Sequence, residues 1–500
     1  MTGYPWQIGD ALFAADLNEA IAGAGAASGG AVNVLAYGAD PTGVADSAAA
    51  INAAAAVLAP NGRRKSVYLP AGSYHVRSRI TLSAGQTLFG DGRGNTIITV
   101  SDDFSAAETV CVIALDGGSF ALVPGGDQPG PAVRDIGISF QQPASANSRA
   151  AFKTIAAGGT STPGGTGVCY PWAIATISRC RPIISRVRIS AAWDGITTNG
   201  IQAPFWLDTI EMGALDCGLS IGEGADGVHD FSHITGYHFW PFGMDVDPIL
   251  TSVYTDLQTV AMRVGVADGL EIKGFTSYSG RVVFTSAASI TWATITNMLL
   301  DNSGARLEIS AARYLQFVNF SAIGDNSTGS MVKIDGGIVG FSNWYSVHQQ
   351  QAQLEVTGGD VAVNGAVFDL LAPPAGCATI TAGALRMSGV RAHVRAAGAY
   401  AQPLLMQTGT GVMQIDNVNV TGVAGSSGTG IQYYTDVLGN LLGGYTLASG
   451  WTVGRVAGQF GNYGVTPPMG NFASDVAAAA GGVPIGRLYR NGSVVMVRVA

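Results

Sequence analysis

The chain repeats itself at a spacing of about 23 residues, and no other feature limits its fold so strongly. Ile184-Ser-Arg-Val187, Leu207-Asp-Thr-Ile210, Phe231-Ser-His-Ile234 and Tyr254-Thr-Asp-Leu257 follow one another at steps of 23, 24 and 23. A second run, Trp292, Leu315, Ile338, Val361 and Leu385, steps by 23, 23, 23 and 24, and Ile295, Val318 and Phe341 keep the same interval. A glycine and an apolar residue recur at Gly195-Ile196, Gly218-Leu219, Gly243-Met244 and Gly269-Leu270. Each unit holds short alternating segments such as Leu270-Glu-Ile272, Val361-Ala-Val363 and Leu385-Arg-Met387. Successive side chains of a strand point to opposite faces, so the apolar set goes inward and the polar set outward. Units of this length are too short for a propeller blade and carry no helical stripe. They suit one coil of a parallel β-solenoid, where each coil pairs with its neighbours and small residues turn the corners.

Composition removes several function classes. Of 500 residues 70 are Gly, 47% are hydrophobic and only 12% are charged, about half the usual charged share. A net charge of −8 argues against a nucleic-acid binder, which needs a basic face. High hydrophobicity excludes disorder. The 25 uncharged residues Thr154–Ser178 are interrupted by Gly158, Pro163 and Pro171, so they make no membrane-spanning helix. Met1–Ala20 lacks a basic start and carries Asp10, Asp16 and Glu19, unlike a signal peptide. The five cysteines form no CxxC pair and read as buried thiols of a protein made in a reducing cytoplasm. An apolar chain that does not span a membrane is expected to bury surface between subunits.

The ends differ from the repeating middle. Residues 1–31 hold a short helical pattern at Ala14–Ala22 and a Gly/Ala/Ser linker at Gly23–Gly30, a tether rather than a core. Residues 441–500 read as a small β-rich region closed by a hairpin around Asn491-Gly492. From Ala396 to Ala500 only seven residues are charged, a surface better suited to partner chains than to water.

Val34-Leu-Ala-Tyr-Gly-Ala-Asp40-Pro-Thr-Gly43, Val67-Tyr-Leu-Pro70-Ala-Gly72 and Leu88-Phe-Gly-Asp-Gly92 resemble the opening of the pectate-lyase superfamily as it occurs in phage tailspikes. The resemblance implies an all-β, right-handed parallel β-helix. Residues 32–110 would be its opening coils with a capping helix, and 111–440 the main solenoid. It further implies a homotrimer on a phage or phage-like particle, attached through residues 1–31, that binds host-cell surface polysaccharide. Asp46 and Ser47 are expected to cap a helix over Ala48–Leu58, stopped by Pro60-Asn61-Gly62. The Asn-Thr-Asp, Gly-His-Gly and Arg-Ile-Lys patterns of polygalacturonases are absent, and Arg179-Cys-Arg-Pro182-Ile-Ile-Ser-Arg186 only approaches the lyase arginine pattern. Fold alone does not give an activity.

Chemistry concentrates in one stretch. Between Arg188 and Arg263 there are ten carboxylates and no Lys or Arg. Trp193, Trp206, Trp240 and His238 there are the candidate sugar-stacking residues. Asp194 with Asp216, and Asp208 with Asp230, are each 22 residues apart, about one coil, and Glu211 lies close to the second pair. Glycosidases hold two carboxyl groups about 5–5.5 Å apart for retention or about 6.5–9.5 Å for inversion, and coils stack at about 4.8 Å. These five residues are therefore the acid/base candidates, although Asp in a turn commonly bonds backbone N–H groups. His229, Asp230 and His233 sit in a strand pattern that does not suit zinc, and no metal or cofactor is implied. Three classes remain open: a depolymerase, free or particle-bound; a non-enzymatic receptor binder; and a purely structural particle component.

Overall fold

A computed structural model describes residues 30–101, 103–104, 110–118, 130–142, 152–154, 167–198, 204–222, 232–243, 258–285, 292–301, 306–324, 330–348, 352–371, 376–434, 441–442, 444–456, 473–480, 488–491 and 494–497. Alternation makes these residues strands, and strands that bury one face must stack. Thirty-five of them form one continuous sheet, wound as a parallel solenoid of about 12 turns.

One inward column shows the register. Ile184 lies opposite Leu207, then Ile234, Ile272, Ile295, Phe317, Phe341, Val363, Met387 and Ile415. All ten side chains are buried. Phe317 and Phe341 stack at 4.9 Å between centroids, and Trp344 closes on Phe341 at 4.6 Å. Truncating such a buried aromatic costs about 3–5 kcal/mol.

The coils are less uniform than the 23-residue spacing predicts. Leu315 lies opposite Ala293 and Val339, whereas Trp292 lies opposite Tyr314. Trp292 and Ile338 are each 51% exposed, while Leu315 and Val361 are buried. The second repeat run thus mixes two columns, because a slip of one residue turns a strand side chain to the other face. Leu207 similarly pairs with Ile234, not Phe231; Phe231 and Tyr254–Leu257 lie outside the described residues.

Successive described coils bend at a residue of left-handed φ: Asp135, Arg186, Thr209, Gly236, Gly274, Asn297, Asn319, Asn343, Gly365, Gly389 and Asn417. Asparagine tolerates this conformation better than most side chains. Here it also builds a ladder, with Asn319 Nδ2 donating to Asn297 Oδ1 (3.0 Å) and Asn343 Nδ2 to Asn319 Oδ1 (3.2 Å). The bend separates two outer faces, and the third strand of each coil makes another.

The capping helix covers Ala48–Ala55, three residues shorter than expected. Asp46 Oδ1 accepts the Ala48 N–H (3.0 Å), whereas Ser47 makes no side-chain cap; its Oγ accepts the Asp40 N–H (3.0 Å). Asp40 accepts the N–H groups of Ala45, Val44 and Thr42 and the Thr42 hydroxyl. Those donors, Ala45 first, hold its carboxyl down at about 2. At the other end parallel pairing continues to Trp451–Val456, past residue 440. Leu488–Asn491 and Val494–Val497 then form an antiparallel hairpin. Four of the five free cysteines are buried, and Cys169 is half-buried. Among the described residues no helix is long and apolar enough to cross a membrane.

Candidate functional site

The carboxylates singled out by spacing fall on different faces. The ladder sets Asp194 opposite Cys217, on the third-strand face. Between Ala192–Ala214 and Asp194–Cys217 the register shifts, which leaves Asp216 out of step with Asp194. Asp208 lies opposite Ser185 and Thr235 on the face before the bend, and accepts the Thr209 hydroxyl at 3.2 Å. Thr235 stands where Asp230 was expected, since this coil step is 27 residues; Asp230 and His229 lie outside the described residues. Glu211 occupies the face beyond the bend. Of the four described carboxylates, Asp194 and Asp216 are out of step beyond the second register shift, Asp208 lies before the bend and Glu211 beyond it.

The aromatic candidates separate in the same way. Trp193 is partly buried against the core. Trp206 lies on the face before the bend, stacked on His233 at 6.3 Å, and His233 Nδ1 meets Glu271 Oε2 at 3.0 Å. Trp240 and His238 join Glu211 on the face beyond the bend.

That last group forms a site. Arg188, Glu211 and His238 are successive rungs of one outward ladder. Arg93 Nη2 donates to Glu211 Oε1 at 2.6 Å, and Arg188 Nε to Oε2 at 2.5 Å. Phe242 lies under the Arg188 guanidinium at 5.3 Å and meets the His238 ring edge-on at 5.3 Å. Trp240, 36% exposed, closes on Tyr278 at 4.3 Å between centroids. Burial lowers the pKa of His238, opposed by the nearby Glu211 charge, so the imidazole stays neutral at pH 7.

Two glycines admit the loops that complete this site. A Cβ on Gly137 would lie 2.6 Å from the Arg93 carbonyl oxygen. One on Gly213 would lie 2.7 Å from the Phe242 carbonyl oxygen and 3.1 Å from that of Trp240. The Phe242 oxygen also accepts the Ala191 N–H at 3.1 Å, pinning the loop across two coils. Arg93 and Tyr278 were not singled out in the sequence, and Phe242 belongs to the aromatic segment 237–243; Gly137 and Gly213, opposite Arg93 and Phe242, were the local signal. The arrangement presents an aromatic ledge beside a carboxylate held by two guanidiniums. It offers stacking and hydrogen bonding, and Glu211 is already engaged by cations.

A second aromatic feature was also missed. Trp292 and Tyr314, on adjacent rungs, line an open pocket of about 430 Å³ with Asp268 and Arg313. Trp292 Nε1 donates to Asp268 Oδ1 at 2.7 Å.

Residues 31–116 match a family model described as rhamnogalacturonase A/epimerase, pectate lyase-like. The match covers the opening coils, which resemble a pectate lyase-like β-helix, and the described strands continue them as one parallel solenoid. No curated protein matches the chain. Among solved structures it is similar to the catalytic unit of an α-1,3-glucanase from Streptomyces thermodiastaticus. That pair shares 13% identity over 87% of this chain and 70% of that one, with a TM-score of 0.41. It is similar also to the Streptococcus pneumoniae surface protein and adhesin PfbA (12%, 84% and 100%, TM-score 0.42). A third is tailspike protein 3 of bacteriophage CBA120 (12%, 99% and 75%, TM-score 0.40). At that distance none of them says what this chain binds.

Proposed function

We propose that this β-helix binds polysaccharide, laying an extended glycan across the outer face beyond the bend. The observation that carries this reading is the Trp240–Tyr278 ledge beside the Arg93–Glu211–Arg188 cluster. An aromatic face covers the apolar side of a sugar ring at low entropic cost, and charged groups take its hydroxyls through charge-assisted hydrogen bonds. In this reading Glu211 is a binding group, because two arginines already engage it.

The finer reading places the chain as a spike or fibre component of a phage or phage-like particle. There it is a homotrimer, attached through residues 1–31, whose ligand is host-cell surface polysaccharide. The Tyr-Gly-Ala-Asp block at 37–40 and the thin charge of the C-terminal region support it. The deciding experiment is affinity electrophoresis of the whole protein in gels containing polysaccharide from candidate host cells. Retardation that weakens about tenfold in Trp240→Ala with an unchanged circular-dichroism spectrum is the expected result. Equal retardation of both proteins would overturn the assignment of this face. Absence of retardation with every host polysaccharide would favour a purely structural particle component.

A further inference from the structure

The pocket at Trp292 lies on the other side of the bend from the ledge, and a backbone irregularity builds it. Leu270 lies opposite Ala293, but Asp268 rather than Gly269 lies opposite Trp292, so the ladder shifts by one residue. Gly269 takes a left-handed φ of 72° there, and the extra residue makes a bulge. Bulges re-aim side chains and concentrate beside functional sites. This one sets the Asp268 carboxylate against the indole of the next rung, where Trp292 Nε1 donates to Oδ1 at 2.7 Å. One rung further, Tyr314 lies opposite Trp292, and its hydroxyl donates to Gln316 Oε1 at 3.4 Å. The polar tips of both aromatic residues are thereby engaged, while Trp292 stays 51% and Tyr314 44% exposed. What they offer to the open pocket of about 430 Å³ is ring surface, and Arg313 completes its lining.

The pocket carries one charge of each sign. Among the described residues Asp268 forms no ion pair and neither does Arg313. A neutral ligand would leave both charges to water, whereas a ligand with a positive and a negative end pairs both. The ring faces select the kind of cation. A primary ammonium brings three N–H donors that ring faces satisfy poorly. A quaternary ammonium brings none, and it settles on a tryptophan face by cation–π attraction. Asp268 adds the counter-charge, and the planar Arg313 guanidinium suits a phosphate. Asp268 and Arg313 stand two coils apart, about 10 Å between backbones, so the two ends of the ligand must be held apart by a spacer. We propose that Asp268, Trp292, Arg313 and Tyr314 form a binding site for a phosphocholine group, in which a two-carbon bridge separates a quaternary ammonium from a phosphate. The ammonium lies on the rings beside Asp268, and the phosphate meets Arg313. This site goes beyond the glycan reading and does not depend on it.

Isothermal titration of the whole protein with phosphocholine, choline, inorganic phosphate and methyl glucoside tests the assignment. Phosphocholine is expected to bind, choline about tenfold more weakly, and phosphate and the glucoside not at all. Trp292→Ala should weaken phosphocholine about tenfold or more. Arg313→Gln should lower it to the level of choline. Arg63→Gln, an equal charge change at an exposed residue near the capping helix, should leave it unchanged. Trp292 and Arg313 are both exposed, so their replacement keeps the fold, as melting curves check. Absence of phosphocholine binding overturns the proposal, as does binding that survives Trp292→Ala or falls equally in Arg63→Gln. Binding of methyl glucoside without phosphocholine also overturns it, in favour of a sugar site. Flotation with phosphatidylcholine vesicles separates the two sources of the group. Flotation that Trp292→Ala abolishes assigns a lipid headgroup, and binding of the soluble compound without flotation assigns a free or polymer-borne one.

Discussion

Arg93 donates to Glu211 at 2.6 Å across 118 positions of chain. The loop between Gly90 and Thr96 is thereby tied to a coil wound much later, and Arg188 completes the carboxylate from the intervening strand. Replacing Glu211 by Gln leaves two guanidiniums facing each other with no anion between them. An unsatisfied, partly buried charge of this kind costs about 1–3 kcal/mol. Urea unfolding should show that loss for Glu211→Gln, and a smaller one for Arg93→Gln, which keeps the Arg188 bond.

Gly213 lets the Trp240–Gly243 loop lie on the coil below. A methyl group there meets the Phe242 backbone at 2.7 Å, so Gly213→Ala must lift the loop. The expected outcome is loss of glycan retention with little change in overall β-structure. Retention equal to wild type would show that Trp240 does not need this seat.

His238 has a pKa lowered by burial from the ordinary 6.5. The unfolded chain therefore binds the proton more readily, and the stability this group contributes is present above about pH 6.5 and lost as pH falls below it. Melting curves from pH 8 to pH 5 should show a decline that flattens in His238→Gln. An unchanged slope would mean that the imidazole is not desolvated.

Incubation with a bound polysaccharide should leave its length unchanged. Asp194→Asn should retain as much glycan as wild type. Size-exclusion chromatography and a reducing-end assay check this; shortening that disappears in Asp194→Asn would make the protein a depolymerase.

Asn319 holds φ 55° at the bend and links Asn297 to Asn343. Asn319→Ala keeps the strained backbone and loses two side-chain bonds, for a cost of about 1–2 kcal/mol. Asn319→Gly should cost less, because glycine adopts this conformation freely. Comparing the two by chemical unfolding separates backbone strain from the ladder.

The sequence by itself determined the solenoid. Alternation in segments such as Leu270–Ile272, with two registers keeping a period near 23, favoured stacked coils over a β-sandwich. It also determined local devices whose atoms are close in the chain, such as the Asp40 turn and the Asp46 cap. The asparagine ladder was equally legible, at spacings of 22 and 24, but a search that follows apolar residues passes over it.

Only the tertiary structure decided the register, and with it the site. Along one inward column the coil step is 23 residues from Ile184 to Leu207, 27 to Ile234 and 38 to Ile272. Corners absorb such differences without disturbing the strands, so spacing alone cannot say which carboxylates are neighbours. A shift of one residue reverses every side chain of a strand. For that reason Asp194 faces Cys217 instead of Asp216, and Trp292 faces solvent instead of the core. Glu211 finds Arg93 because Gly137 lets the Arg93 loop approach, a condition set by where coils stack.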